Sequence, residues 1–326
     1  MIISQTPLRV SLLGGGTDFR DFFLKEGGAV LTLAINKYVY VILKERFDDM
    51  IYINYSKKEI VSSVFEIQHE LVREAMRKTG ISKGVEITTL SDVPSEGTGL
   101  GSSSSVTVGL LNAMYAYLGM QVPAERLAQE ACEIEIDILN KPIGVQDQFI
   151  AAFGDLCFIE FHTDGNISIT KVPLSIEAKR VLVSNLLLFY TNRTRKADTI
   201  LKEQKANIAD RKDELCRLRD LAYEGYQALL RGDFDRIGEL LHENWLLKRR
   251  LASGVSDPQI EEMYETALRA GALGGKVAGA GGGGFLLVYC PREKQNAVRT
   301  ALSQYRELPF MLSRDGSKII FNINSY

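Results

Sequence analysis

The chain is poor in the residues that staple or metallate small folds. Its four cysteines, Cys132, Cys157, Cys216 and Cys290, form no CxxC pair, and its three histidines, His69, His162 and His242, are scattered over 326 residues. A disulfide scaffold is excluded, a zinc centre is not indicated, and the thiols read as core groups of a reducing compartment. No apolar run is long enough to span a bilayer. The segment Met1-Ile2-Ile3-Ser4-Gln5-Thr6-Pro7 lacks the basic-then-apolar order of a secretory leader. A cytoplasmic protein with no membrane partner is expected. An excess of one charge is also missing: 39 Lys and Arg stand against 41 Asp and Glu, a net charge of −2. Nucleic acid is therefore not an expected partner. What remains, 45% hydrophobic and 25% charged, suffices for two domains or one large α/β unit.

Glycine is the residue present in number, and one glycine run is the most informative stretch. Gly97-Thr98-Gly99-Leu100-Gly101-Ser102-Ser103-Ser104-Ser105 precedes Val106, Val108, Leu110, Leu111, Met114, Tyr117 and Leu118, an apolar spacing that reads as a helix. A glycine loop feeding a helix N-terminus offers close backbone approach, free N–H groups and the positive end of a dipole, which together bind phosphate. The serine hydroxyls add donors and a Mg²⁺ ligand. The plainer alternative is a flexible loop with serine N-caps.

Elsewhere the pattern alternates between strand and helix. Ile2 to Leu13 reads as a strand broken by Pro7, followed by a turn at Gly14-Gly15-Gly16-Thr17-Asp18. Residues 29–55 read as several antiparallel strands, 65–79 as a helix and 85–90 as a strand. Helices are expected over 102–118 and 124–139, and a hairpin around Asp164-Gly165. Val181 to Tyr190 reads as a buried strand, 197–230 as one long helical stretch, and the texture change near residue 180 marks a domain boundary. Strands are expected after Gly284 and over 318–323.

The hexad Gly279-Ala280-Gly281-Gly282-Gly283-Gly284 satisfies GxGxxG, but a strand follows it where a dinucleotide fingerprint needs a helix. That order excludes a nicotinamide-dependent oxidoreductase. Walker A and protein-kinase signatures are absent too. Four consecutive glycines are entropically costly to order, which favours a role facing a ligand over a tight turn. A phosphoryl-transfer site wants one carboxylate for Mg²⁺, one beside the nucleophile, and a cation near the transferred group. Glu133, Glu135, Asp137 and Asp147 are the acids near the serine loop, and Arg9 is a cation on an early strand. Alternate helical residues do not share a face, so at most one or two of Glu133, Glu135 and Asp137 enter a common site.

Three separated motifs resemble one family, the GHMP kinase superfamily. Pro7 to Asp18 resembles its first motif, Gly99-Leu100-Gly101-Ser102-Ser103-Ser104 its ATP phosphate loop, and Gly279 to Gly284 its third. The resemblance implies an α/β (α+β) fold of two halves. Residues 1–180 would form an ATP-binding half like ribosomal protein S5 domain 2, and residues 181–326 a ferredoxin-like half. It also implies ATP and Mg²⁺ as cofactors, with Asp147 and Arg9 catalytic, Glu135 and Ser103 on Mg²⁺, and Gly97, Gly99, Leu100, Gly101, Ser102, Ser103 and Ser104 around the triphosphate. Gly15, Gly16, Thr17, Asp18, Thr191, Arg193, Gly281 and Gly282 would meet the sugar.

Within the superfamily, Leu13 to Phe19, Phe189 to Arg193, His242 to Trp245 and Gly271 to Lys276 are similar to the heptose 7-phosphate kinase branch. That branch implies phosphorylation of an anomeric hydroxyl to a 1,7-bisphosphate. The alternatives are a fucokinase- or galactokinase-like enzyme acting on an unphosphorylated sugar, and a non-catalytic sensor. The sugar's own phosphate would be held by Arg193, Arg195, Lys196 or Lys37. The partners implied are a small sugar phosphate and ATP, with a homodimer compatible. The chain departs from the pattern in two places: Ser95-Glu96 lengthens the phosphate loop by about one residue, and Asn192 stands where glycine is expected.

Overall fold

The computed structural model describes residues 1–94, 97–194 and 197–323. Ser95, Glu96, Arg195 and Lys196, singled out above, lie outside them. Among the described residues no helix is long and apolar enough to cross a membrane.

An eight-stranded sheet is built on β1 (Ile2–Leu13) and β2 (Gly28–Glu45), which pair antiparallel along nearly their full length. The expected break at Pro7 is instead a register shift between Pro7 and Leu8. Proline has no N–H to give to a ladder, and a bulge absorbs that loss without ending the strand. The expected set of antiparallel strands over 29–55 is mostly one strand, β2, whose far edge splits between β5 (Val85–Ser91) and β6 (Leu156–Phe161). β3 (Ile51–Asn54) runs parallel to β5 and carries β4 (Lys58–Val61) antiparallel. β7 (Ile167–Lys171) closes the expected hairpin with β6. The C-terminal β11 (Lys318–Asn322) returns to pair with β1.

A second sheet of order β8-β10-β9 takes its strands from Leu186–Tyr190, Phe285–Tyr289 and Gly274–Val277. The expected strand over 181–190 is in fact half helix. Ser175 caps α6 (Ile176–Ser184) by accepting from the Ala178 N–H at 3.1 Å, and only Leu186 onward pairs. Val181 is exposed while Leu182 and Val183 are buried, a one-sided burial that suits a surface helix.

The helices cover these sheets. α1 (Arg20–Glu26) and α2 (Glu70–Thr79) are short. α3 (Ser102–Tyr117) lies across β1 and β2. α4 (Ala124–Cys132) passes into a π-helical turn at Glu133–Ile138, where one α-helix was expected. α5 (Gln146–Phe153) follows. The expected helix over 197–230 is two, α7 (Ala197–Ala206) and α8 (Lys212–Leu230). α9 (Asp235–Lys248) and α10 (Pro258–Arg269) pack on the smaller sheet, and α11 (Gln295–Ala301) packs against α10.

One close approach fixes how α9 meets β9. Gly274 has no room for a side chain, because a Cβ there would overlap the Gly238 carbonyl oxygen and press on His242 N. Both obstacles are backbone and cannot rotate away. Gly274→Ala is expected to destabilise the fold by about 2–3 kcal/mol, as overpacking does, measured by chemical denaturation. A loss under about 0.5 kcal/mol would mean that α9 is free to slide.

Candidate active site

The centre of the site is set by β1. Strand geometry turns Arg9 toward the start of α3, where its Nε and Nη2 meet Asp147 Oδ1 and Oδ2 at 2.7 and 2.6 Å. Its Nη1 donates to the Gly99 carbonyl at 2.5 Å. The Arg9 N–H donates to the Leu100 carbonyl at 3.0 Å. Arg9 thus joins the first strand, the glycine–serine loop and the N-terminal turn of α5. A planar guanidinium suits this fork better than an ammonium would.

Two cavities meet at this pair. One is walled by Gly97, Thr98, Gly99, Gly101 and Ser102 to Ser104, with Gly279, Gly281 and Gly283 opposite. Gly97, Gly99 and Gly101 have φ of 69, 73 and 77°, which only glycine adopts readily. The loop and the glycine hexad touch through backbone. A Cβ on Gly99 would lie 2.5 Å from the Ala278 carbonyl oxygen, and one on Gly279 would lie 2.6 Å from Gly99 Cα. This cavity faces the N-terminus of the sixteen-residue α3, a dipole end suited to polyphosphate.

Glu135 backs the same cavity. The π-helical turn carries it inward while Glu133 stays half-buried and Asp137 exposed. Its carboxylate accepts from Ser103 Oγ at 2.5 Å, Ser104 Oγ at 2.8 Å and Gln148 Nε2 at 2.7 Å. Burial raises its pKa, opposed by Lys141 and by the hydrogen bonds. Lys141 Nζ reaches Ser103 Oγ at 3.3 Å and pairs with Glu70 at 3.0 Å.

The second cavity is lined by Ser11, Gly15, Gly16, Asp18 and Gln146, with Lys248 and Lys276. Asp18 is buried and accepts from Gly16 N at 3.1 Å and Gln146 N at 3.3 Å. A Cβ on Gly144 would fall on its carboxylate. Burial raises the Asp18 pKa, and the negative charge of Asp147 raises it further. Asn244 Oδ1 accepts from Gly14 N at 3.2 Å, tying α9 to the loop that carries Asp18.

Of the remaining sequence candidates, Gly281 lines the serine-loop cavity and the others fall around the two cavities. Thr17 is buried, and its hydroxyl donates within the fold to the Gly14 and Ala29 carbonyls, both at 2.9 Å. Thr191 is buried against the Gly284 carbonyl, at 2.9 Å from its Oγ1. Arg193 pairs with Asp257, and its carbonyl accepts from Gly284 N at 2.8 Å. Gly281 faces the serine-loop cavity, and Gly282 N donates to the Val255 carbonyl at 2.7 Å. Lys37 sits at the β1–β2 bulge and lines neither cavity. Leu100 is buried below the loop. Asn192, found where glycine was expected, has φ 58°, and asparagine tolerates this left-handed conformation better than most residues.

Sequence reasoning missed Lys141, Lys248 and Lys276. Lysine is usually a surface residue, yet Lys248 and Lys276 are 4% and 1% exposed. The only signal was Lys276 closing the Gly274-Gly275-Lys276 stretch. Burial lowers the pKa of Lys248 to about 7, helped by Arg9 and opposed by Asp18. Lys276 is pushed well down by burial, then by Lys248 and Arg9.

Comparison with known proteins identifies the family. The N-terminal domain of GHMP kinases matches residues 54–155, and their C-terminal domain residues 226–307. A D-glycero-alpha-D-manno-heptose 7-phosphate kinase of Campylobacter jejuni is 31% identical, covering 97% of this chain and 98% of its own. A D-glycero-D-manno-heptose 1-phosphate kinase structure from Bacteroides thetaiotaomicron superposes with a TM-score of 0.84 over all of both chains at 26% identity. A galactokinase of Thermotoga maritima is 26% identical over 98% of this chain and 96% of its own. The chain belongs to the GHMP kinases, and its fold is theirs. Within that family it is an ATP-dependent sugar kinase.

The buried lysine has a consequence for stability. Between pH 7 and about 10 the unfolded chain keeps a proton on Lys248 that the folded chain has released. Ligand-free stability therefore gains from this group as pH rises through that window. The thermal midpoint of the wild type, measured against that of Lys248→Met, is expected to climb from pH 7 to 9. A flat difference would mean that Lys248 stays charged in the fold.

Proposed function

We propose that this is a cytoplasmic sugar-1-kinase that transfers the γ-phosphoryl group of ATP to the anomeric hydroxyl of D-glycero-D-manno-heptose 7-phosphate, releasing ADP and the 1,7-bisphosphate. The observation that carries the reading is that the serine-loop cavity and the Asp18 cavity end on the same Arg9–Asp147 pair. Donor and acceptor would meet there in line. The Campylobacter relative, aligned nearly end to end, bears the name of a 7-phosphate kinase. The Bacteroides structure bears that of a 1-phosphate kinase, so the position of the phosphate already present is what the assay must decide.

In this reading the triphosphate lies along Gly97 to Ser104, under the α3 N-terminus. Lys141 adds positive charge at the serine end. Among the described residues no three His, Cys, Asp or Glu side chains converge on a metal position. Glu135 and Ser103 offer one carboxylate and one hydroxyl oxygen, hard ligands that suit Mg²⁺ when nucleotide phosphates complete its shell. Mg²⁺ held there would neutralise charge on the β- and γ-phosphates. Asp18 grips sugar hydroxyls. Asp147 orients the attacking hydroxyl and accepts its proton as the new O–P bond forms. Arg9 holds Asp147 and offsets charge on the transferred group. Positioning and fixed charge supply most of the rate gain in such transfers.

The first test is ADP release with Mg²⁺-ATP on heptose 7-phosphate, heptose 1-phosphate, mannose 6-phosphate, free heptose, fucose and galactose. Heptose 7-phosphate is expected to have the highest kcat/KM of the panel, with free heptose turned over slowly. Preferred turnover of a free sugar, or of the 1-phosphate, would overturn the substrate assignment. Asp147→Asn is expected to lower kcat by about 10²–10⁴-fold, the usual worth of a positioned acid–base group. ATP affinity, read by calorimetry, should change less than about threefold. Near-normal turnover would remove Asp147 from the reaction.

A further inference from the structure

We propose that Ser11, Gln146, Lys248 and Lys276 form an anion subsite in the acceptor cavity, one that takes the phosphate already carried by the sugar. This rests on the sugar-phosphate reading above and names the residues that would make it selective. None of them belongs to the basic candidates drawn from the sequence.

The geometry converges on one point. Gly15 has no side chain, and the position its Cβ would occupy lies 3.5 Å from Ser11 Oγ, 3.8 Å from Gln146 Nε2 and 3.8 Å from Lys276 Nζ. Three donor-bearing groups from β1, α5 and β9 thus surround a space that glycine leaves open. Ser11 Oγ is buried with no hydrogen-bond partner, which is costly unless a ligand supplies one. Gly15 is absent from the positive-φ positions, so room rather than backbone conformation explains a glycine here.

The charges point the same way. Each ammonium carries three donors. Lys276 gives one to the Leu12 carbonyl at 3.0 Å, and Lys248 gives two, to the carbonyls of Val277 at 3.0 Å and Gly279. Among the described residues neither makes an ion pair within 4.0 Å. With no carboxylate of the described residues within 4.0 Å of either, burial disfavours the charged form of both lysines in the empty cavity, and a bound anion favours it. Arg193, by contrast, already pairs with Asp257.

The spacing suits the substrate. Arg9 and Ser11 are two residues apart on β1 and share a face, about 6.6–6.8 Å along the strand. The reacting hydroxyl would sit at Arg9 and Asp147 and the phosphate at Ser11 and Lys276, with the sugar ring spanning the interval beside Asp18.

The test compares kcat/KM for heptose 7-phosphate with kcat/KM for free heptose in the wild type, Lys276→Met and Gly15→Ala. Lys276→Met conserves volume, and Gly15→Ala adds only ordinary contacts at 3.5–3.8 Å, filling the anion position. The phosphorylated-over-free ratio is expected to fall about 10–100-fold in each, the worth of one charge-assisted contact. A merely structural role would depress both substrates together and leave the ratio unchanged, which would overturn the subsite while leaving the substrate assignment standing. If the wild type does not use heptose 7-phosphate, the substrate assignment falls and inorganic phosphate decides the subsite. A thermal shift with phosphate, in the presence of saturating ATP analogue, that the wild type shows and Lys276→Met loses would support it. An equal shift in both, or none in the wild type, would overturn it.

Discussion

The Arg9 guanidinium is the contact on which the site depends. It binds both oxygens of Asp147 and the carbonyl of Gly99 at once, so strand β1, the phosphate loop and α5 share one hub. The hub is 7% exposed on the arginine side and 22% on the aspartate side, dry enough for the ion pair to matter and open enough for substrates to reach it. Every other feature is arranged by distance from it: the α3 N-terminus and Glu135 on one side, Asp18 and the buried lysines on the other.

The two sides obey different physics. The nucleotide side is framed by backbone, with glycine loops in contact and a helix end presenting its dipole, and Ser103, Ser104, Glu135 and Lys141 add side chains at one end. The acceptor side is made of side chains drawn from β1, α5, α9 and β9, several of them polar and buried. The π-helical turn belongs to the first side. It departs from regular helix where Glu135 must be swung inward onto Ser103 and Ser104, and such departures recur at functional positions.

Much of this was legible in the sequence because glycine and serine runs report backbone demands directly. The Gly97–Ser105 loop, Arg9, Glu135 and Asp147 stand out by residue type, while Asp18 and the separate role of each acid follow only from the resemblance to GHMP kinases. The secondary structure was misread where neighbours override local pattern. Pro7 reads as a break, yet β2 pairs across it through a bulge. Val181-Leu182-Val183 is apolar and rich in β-branched residues, yet a Ser175 cap makes it helical. Buried lysines were invisible for another reason: Lys248 and Lys276 acquire their meaning only when α9 and β9 bring them together across 27 intervening positions. Arg193 was attractive in sequence and is already paired in the fold, a neutralisation that spacing cannot reveal.

The contact of Gly99 with Gly279 bears on how such a protein can change. Atoms common to every amino acid form that junction, and no side chain can be added to it without displacing main chain. The glycine junction of the donor half is therefore closed to ordinary substitution. The acceptor half is assembled from replaceable groups on separate elements, so new sugars can be accommodated there one residue at a time. A catalyst divided in this way can diversify its acceptors while its donor stays fixed.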